Sequence, residues 1–168
     1  MTPANPILGH LIELIGNVTD AHTVALFTME PGGKTLAMRE HFSLSNNLDP
    51  GAKIPVGKGP IGVTAQTRKS QLIENFDQNT RFLGFYKKNE ELKNFISLPV
   101  IYGNQVAVLV VDSKERYQFS IKLQKILADF TQQIAWNLQP ENQDNSEKSS
   151  PFLQEISSYC RFLAESPD

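Results

Sequence analysis

The sequence predicts an α/β protein of the α+β kind, with a central antiparallel sheet of five to six strands flanked by helices on both faces. Three observations carry this. Two pairs of strand-like runs are joined by short turns, Pro31-Gly32-Gly33 and Gly103-Asn104. Such turns cannot join parallel neighbours, so both pairs are antiparallel. The run 106–111 is apolar at every position, which predicts a strand covered on both faces. Helical apolar patterns open and close the first 139 residues and supply the cover.

The elements follow in order. Asn5-Pro6 reads as an N-cap followed by proline at the first helical position. Ile7, Leu11, Leu14 and Val18 form one stripe, and Leu8, Ile12 and Ile15 an adjacent one. Two stripes make a face wider than one contact surface needs. Strand-like runs follow at 22–29 and 35–44. In the second, alternation puts Leu36, Met38, Glu40 and Phe42 on one side and Ala37, Arg39 and His41 on the other. A polar loop leads to the glycine-rich stretch 54–64 and a short helix ending near Lys69.

Residues 70–75 predict a short strand. Residues 76–94 mix aromatics and charge without a sustained period, and predict an irregular segment with short helical turns. Strands at 95–102 and 105–113 follow, and Asp112 at the end of the second suits a turn. A second long helix runs from Phe119 to Leu138 with Ser120 as N-cap. Leu123, Leu127, Phe130, Ile134 and Leu138 line it, Ile126 and Trp136 widen its apolar face, and Pro140 stops it. Residues 140–150 form a polar linker. Residues 151–168 carry a last amphipathic helix with Phe152, Ile156, Tyr159 and Leu163 on one stripe.

Gly57, Gly59 and Gly62 satisfy the G-x-G-x-x-G spacing of a dinucleotide-binding turn. The context argues against that chemistry. The following helix has room for only about seven residues, too few for a parallel crossover. Pro60 also removes one backbone donor from the loop that would cradle a pyrophosphate. The glycines instead fit a tight strand-to-helix turn: Gly57 and Gly59 permit positive φ, and Gly62 permits close approach to the sheet.

Composition narrows the function classes. The 168 residues suit one domain plus an appendage. A net charge of −2 offers no broad attraction for nucleic acid or an anionic membrane. No apolar run is long enough for a membrane span. The N-terminus has no basic region and places Glu13 in its apolar stretch, unlike a secretory signal, so a cytoplasmic location is expected. The single cysteine, Cys160, precludes an internal disulfide or a Cys-pair metal site. His10, His22 and His41 show no metal-ligand spacing. No Ser-His-Asp set or carboxylate pair suggests a catalytic centre.

The chain resembles a GAF domain, the small-molecule-sensing module of signalling proteins, across about residues 5–139. The resemblance rests on IPVGKGPIGVTAQTRKSQLIEN, DQNTRF, FISLPVIYGNQVAVLVVDS and FSIKLQKILADFTQQIAWNL, in that order. DQNTRF has one residue more between acid and arginine than the family pattern. The resemblance implies an antiparallel sheet flanked by helices, a ligand pocket between one sheet face and the irregular segment, and a regulatory, non-catalytic role in a bacterial protein. Members that reduce free methionine sulfoxide use paired cysteines near the pocket, and bilin carriers generally use a tethering cysteine. Residues 1–139 contain none. Cyclic-nucleotide binders carry an Asn-Lys-x-x-Phe-x-x-x-Asp-Glu signature. Here only Phe85, Asn89 and Glu90 fall at its spacing, with Asn89 replacing the Asp. The cofactor is left unassigned.

The candidate ligand-binding residues are Phe76, Asp77, Arg81, Phe82, Phe85, Ser97 and His41. Arg81 either grips an anionic ligand with its planar fork or bridges to Asp77 or Glu74. Phe76, Phe82, Phe85 and Tyr86 either wall a pocket for a flat molecule or pack the irregular segment onto the sheet. Ser97 shares a strand face with Phe95 and Pro99, and either reaches a ligand or bonds neighbouring backbone. His41 faces the same cavity or solvent. The expected partners are an unidentified small molecule, a second copy bound through the first and closing helices, and an attached or separate output domain. A ligand-free dimerisation scaffold is the alternative reading.

Overall fold

The computed structural model describes residues 5–116 and 119–143. The elements are α1 (Pro6–Thr19), β1 (Thr23–Met29), β2 (Thr35–Ser43), β3 (Lys53–Pro55), α2 (Gly59–Thr67), β4 (Gln71–Glu74), a 3-10 turn (Thr80–Leu83), β5 (Asn94–Tyr102), β6 (Gln105–Ser113), α3 (Ile121–Leu138) and α4 (Pro140–Gln143). The strands form one six-stranded sheet in the order β3-β2-β1-β6-β5-β4. Every pairing is antiparallel. The predicted last helix lies outside the described residues.

Local chemistry sets the helix ends. Asn5 accepts a hydrogen bond from the Ile7 N–H at 3.0 Å, with Pro6 opening α1. Ser120 caps α3 by accepting from the Leu123 N–H at 3.2 Å. Gly57 and Gly59 adopt φ of 81° and 63°, as the tight turn requires. A side chain at Gly62 would collide with the carbonyl oxygen of Pro55, at the end of β3. The glycine pattern therefore packs helix against strand.

Side-chain alternation divides the sheet into two buried faces. Val24, Leu26, Leu98, Leu109 and Val111 pack against Leu11 and Ile15 of α1 and Leu127 and Ile134 of α3. Ala25, Phe27, Phe95, Val108 and Val110 face the other way, toward Ile61 and Ala65 of α2 and the aromatics of residues 76–92.

One expectation changes. The alternation predicted through β2 breaks, because Leu26 pairs with Glu40 but Phe27 with Met38. Arg39 is the extra residue of a β-bulge, and one extra residue inverts the facing of all that follows. Met38 consequently packs with the Phe27 face, and Phe42 packs on the α1 face.

Much of the apolar face of each long helix packs within the chain. α1 and α3 both pack on the sheet and on each other, half-burying Ile7, Leu14, Leu123 and Ile126. Val18, Ile121 and Trp136 remain exposed. Pro140 ends α3 as predicted but also starts the short helical turn α4.

Candidate functional site

The sheet face opposite α1 and α3 is where a ligand was expected. Its floor is built from alternate residues of β1, β6 and β5, notably Phe27, Val108, Val110 and Phe95. The segment between β4 and β5 covers that floor with its own side chains. Phe85 is completely buried, its ring centroid 5.9 Å from that of Phe27 and 4.5 Å from that of Tyr86. Phe76, Leu83 and Leu92 are buried beside it. These contacts suit tilted aromatic rings and exclude water from the face.

The predicted site residues divide sharply. Phe76, Phe85 and Ser97 are buried on this face. The Ser97 hydroxyl lies 2.7 Å from the Thr64 hydroxyl and ties α2 to β5. Asp77, Arg81, Phe82 and His41 are exposed, Phe82 by 52%. Arg81 forms no ion pair with Asp77 or Glu74 among the described residues. The structure therefore brings Phe76, Phe85 and Ser97 to this face and leaves Phe82 and the charged members of the predicted set at the surface.

A polar knot at one end of the face was not anticipated. Asp112 is fully buried, although the sequence suggested a turn residue. Its position follows from strand period: it shares a face with Val106, Val108 and Val110. Tyr86 donates to Asp112 Oδ2 at 2.8 Å. Thr23 lies 2.7 Å from both Tyr86 Oη and Ser43 Oγ.

A continuous hydrogen-bonded chain therefore runs from half-buried Ser43 through Thr23 and Tyr86 to the buried carboxyl. Asp112 Oδ1 has no hydrogen-bond partner among the described residues. Burial, the largest cause, pushes the Asp112 carboxyl up to about 8, against the lowering effect of the Tyr86 bond. Burial likewise raises the Tyr86 phenol, with the Asp112 charge adding to it.

Glu90 anchors the other end of the segment. It accepts from Ser45 Oγ and from Asn47 Nδ2 at 2.7 Å, and pairs with Lys114 Nζ at 2.9 Å. Burial pushes its carboxyl up, but the bonds from Ser45, Asn47 and Lys114 together outweigh that and hold it at about 2. His22 Nε2 lies 3.5 Å from Glu90 Oε2 and has no hydrogen-bond partner among the described residues. Burial lowers the His22 pKa, and Lys114 lowers it further.

The positions matching the cyclic-nucleotide signature have structural uses here. Phe85 fills the core. Asn89 Oδ1 accepts from the Thr80 N–H at 2.8 Å, while the Glu90 N–H donates to Thr80 Oγ1 at 2.6 Å. The aromatic-and-polar cover is thus fixed at Tyr86, Asn89 and Glu90. Tyr86 was visible in the sequence as an aromatic of the segment; its partnership with residues of β1 and β6 was not.

Among the described residues, no group of three or more His, Cys, Asp or Glu side chains is placed to hold a metal ion. No helix among them is long and apolar enough to cross a membrane.

Comparison with known proteins agrees with this architecture. A family model described as GAF domain matches residues 5–139. The GAF domain of a two-component sensor histidine kinase from Bacillus halodurans superposes with a TM-score of 0.66 at 18% identity, covering 88% of this chain and 100% of that one. The GAF domain of an Acinetobacter phosphoenolpyruvate-protein phosphotransferase gives 0.65 at 17% identity, covering 80% and 82%. A type II free methionine-R-sulfoxide reductase from Thermoplasma acidophilum gives 0.63 at 14% identity, covering 77% and 89%. At these identities the structural likeness speaks for the fold alone. No curated protein matches the chain in sequence.

Proposed function

Because this chain belongs to the GAF-domain family, we propose that it is a non-catalytic regulatory domain that works by protein contact with its ligand-side face filled by its own aromatics. The observation behind this reading is the burial of Phe85 and Tyr86 against Phe27 and Phe95. A small molecule entering that face would have to displace a ring that buries on the order of 150–250 Å². It would also have to break the Tyr86–Asp112 bond or the Glu90 clamp. Only a ligand with a strong preference for the opened state would shift that balance.

The non-catalytic part rests on residue chemistry. The only cysteine, Cys160, lies beyond the residues matched to the family. The buried carboxyls are engaged in holding the segment.

Native mass spectrometry of the gently purified full chain tests the reading. The expected masses are those of the chain or its whole multiples, and metabolite addition should leave the melting temperature unchanged. A retained small molecule, or a metabolite that raises the melting temperature in proportion to its occupancy, would favour a ligand-sensing domain instead. Turnover of free methionine sulfoxide that is lost in Cys160→Ser would overturn the non-catalytic part.

A further inference from the structure

Residues 76–93 form a closed loop over the sheet. The Phe76 N–H donates to the Lys93 carbonyl at 2.8 Å, which joins the two ends. Inside the loop, Thr80 and Asn89 tie one limb to the other. The loop after β2 is stitched to it. The Asp49 N–H donates to the Phe85 carbonyl at 2.9 Å, the Lys87 N–H to the Asn47 carbonyl at 2.8 Å, and Leu48 bridges Tyr86. The two loops therefore make one lid on the aromatic face.

Glu90 pins this lid to the body of the domain. Its carboxylate holds the loop after β2 through Ser45 and Asn47, and the chain after β6 through Lys114. His22, just before β1, points at the same place. Its Nε2 lies 3.5 Å from Glu90 Oε2, the oxygen that Lys114 Nζ already holds at 2.9 Å. The His22 and Glu90 side chains are only 10% and 8% exposed.

We infer that His22 is a proton-operated release for this lid: neutral, it leaves the Lys114–Glu90 pair to hold the lid shut, and protonated, it opens residues 44–52 and 76–93 together while the rest of the fold stays in place.

Charge balance gives the reason. With His22 neutral, Lys114 and Glu90 cancel. A proton on His22 brings a second cation to one carboxylate oxygen, in a site with little access to water, and an uncompensated buried charge is costly. Asp112 does not supply the missing negative charge, because its carboxyl keeps its proton up to about 8. Opening the lid returns the imidazolium to water and parts it from Lys114. Burial first, then Lys114, lower the His22 pKa against the raising effect of Glu90, which is the direction this balance requires.

The remaining neighbours do not alter the balance. Asp112 and Leu44 meet His22 through backbone bonds of 2.9 Å, and Asp20 at the end of α1 is exposed. Glu90, held at about 2, and Asp112, at about 8, keep their protonation states across the range where an imidazole titrates. A lowered pKa in the closed state means that the open state binds the proton more tightly. Closure is therefore complete above the ordinary 6.5 and weakens as pH falls below it.

Hydrogen exchange of the full chain, read by mass spectrometry from about pH 7 to about pH 5 and corrected for the intrinsic rate, tests the release. Peptides from 44–52 and 76–93 should be less protected than those of α3 at every pH. Their protection should fall several-fold on acidification, and His22→Gln should abolish that fall. Lid peptides as protected as α3, or the same acid trend in His22→Gln, would overturn the inference. Proton NMR of the parent chain serves even where the variant does not fold. The His22 ring should titrate below 6.5, with the Tyr86 ring resonances moving at the same midpoint. A midpoint at or above 6.5, or Tyr86 resonances that ignore it, would equally overturn it. These readouts need no bound molecule, so their failure leaves the proposed regulatory role standing.

Discussion

The Tyr86 hydroxyl donates to Asp112 Oδ2 at 2.8 Å, joining the segment that covers the sheet to the end of its central strand β6. Both residues are buried, so neither finds water as a substitute partner. The bond is also the end of the hydrogen-bonded chain from Ser43 through Thr23. One phenol therefore serves at once as a packing ring and as the link between Thr23 and Asp112.

Tyr86→Phe is expected to destabilise the fold by about 1–3 kcal/mol, because it keeps the ring but strands buried partners. Urea unfolding measures this. Combining it with Asp112→Asn should give a coupling of about 0.5–3 kcal/mol, as contacting residues do. Strict additivity of the two changes would mean that the bond contributes nothing specific.

The stabilisation contributed by Asp112 should fall as pH rises from about 4 to about 8. The Asp112 carboxyl has a folded pKa of about 8 against an ordinary 3.8. A raised folded pKa means that the folded state holds the proton more tightly; the stabilisation is complete below the ordinary value and is lost as pH climbs through the folded one. Glu90 acts oppositely: held at about 2 against an ordinary 4.5, it stabilises above 4.5 and loses that contribution as pH falls toward 2. His22, with its pKa lowered, also loses stabilisation on the acid side, below its ordinary 6.5. Asp112→Asn should flatten the alkaline decline while leaving the acid limb in place. Chemical unfolding at a series of pH values reads this directly, and an unchanged alkaline slope in Asp112→Asn would reject the assignment.

Phe85→Ala should cost about 3–5 kcal/mol, the usual loss for a large aromatic removed from a core. The cavity left on an apolar face should stay dry and accept a small aromatic molecule. Thermal melting with benzene added should therefore rescue the variant and leave the parent protein unchanged. A variant that melts like the parent would show that Phe85 does not fill the face.

The sequence by itself determined the order of the main elements, the antiparallel pairing within the two hairpins and the helix caps. These depend on neighbours along the chain. Asn5 and Ser120 act within a few residues, and Gly103-Asn104 joins β5 to β6 directly. The run 106–111 declared a strand covered twice, and both faces of it are buried. The segment covering the sheet was legible as aromatic and irregular, and Phe76 and Phe85 were already marked within it.

Only the tertiary structure decided which way that segment's side chains turn. Phe85 goes inward, while Arg81 and Phe82, a few positions earlier, remain exposed. No repeat in an irregular segment encodes that choice; it is set by the space between α2 and the sheet. The same holds for the bulge at Arg39, which exists only when β2 is laid against β1. It holds for Asp112, whose partners Tyr86 and Thr23 come from distant parts of the chain. Local geometry is written in adjacent residues, whereas burial and hydrogen-bond partnership arise only when remote strands and loops meet.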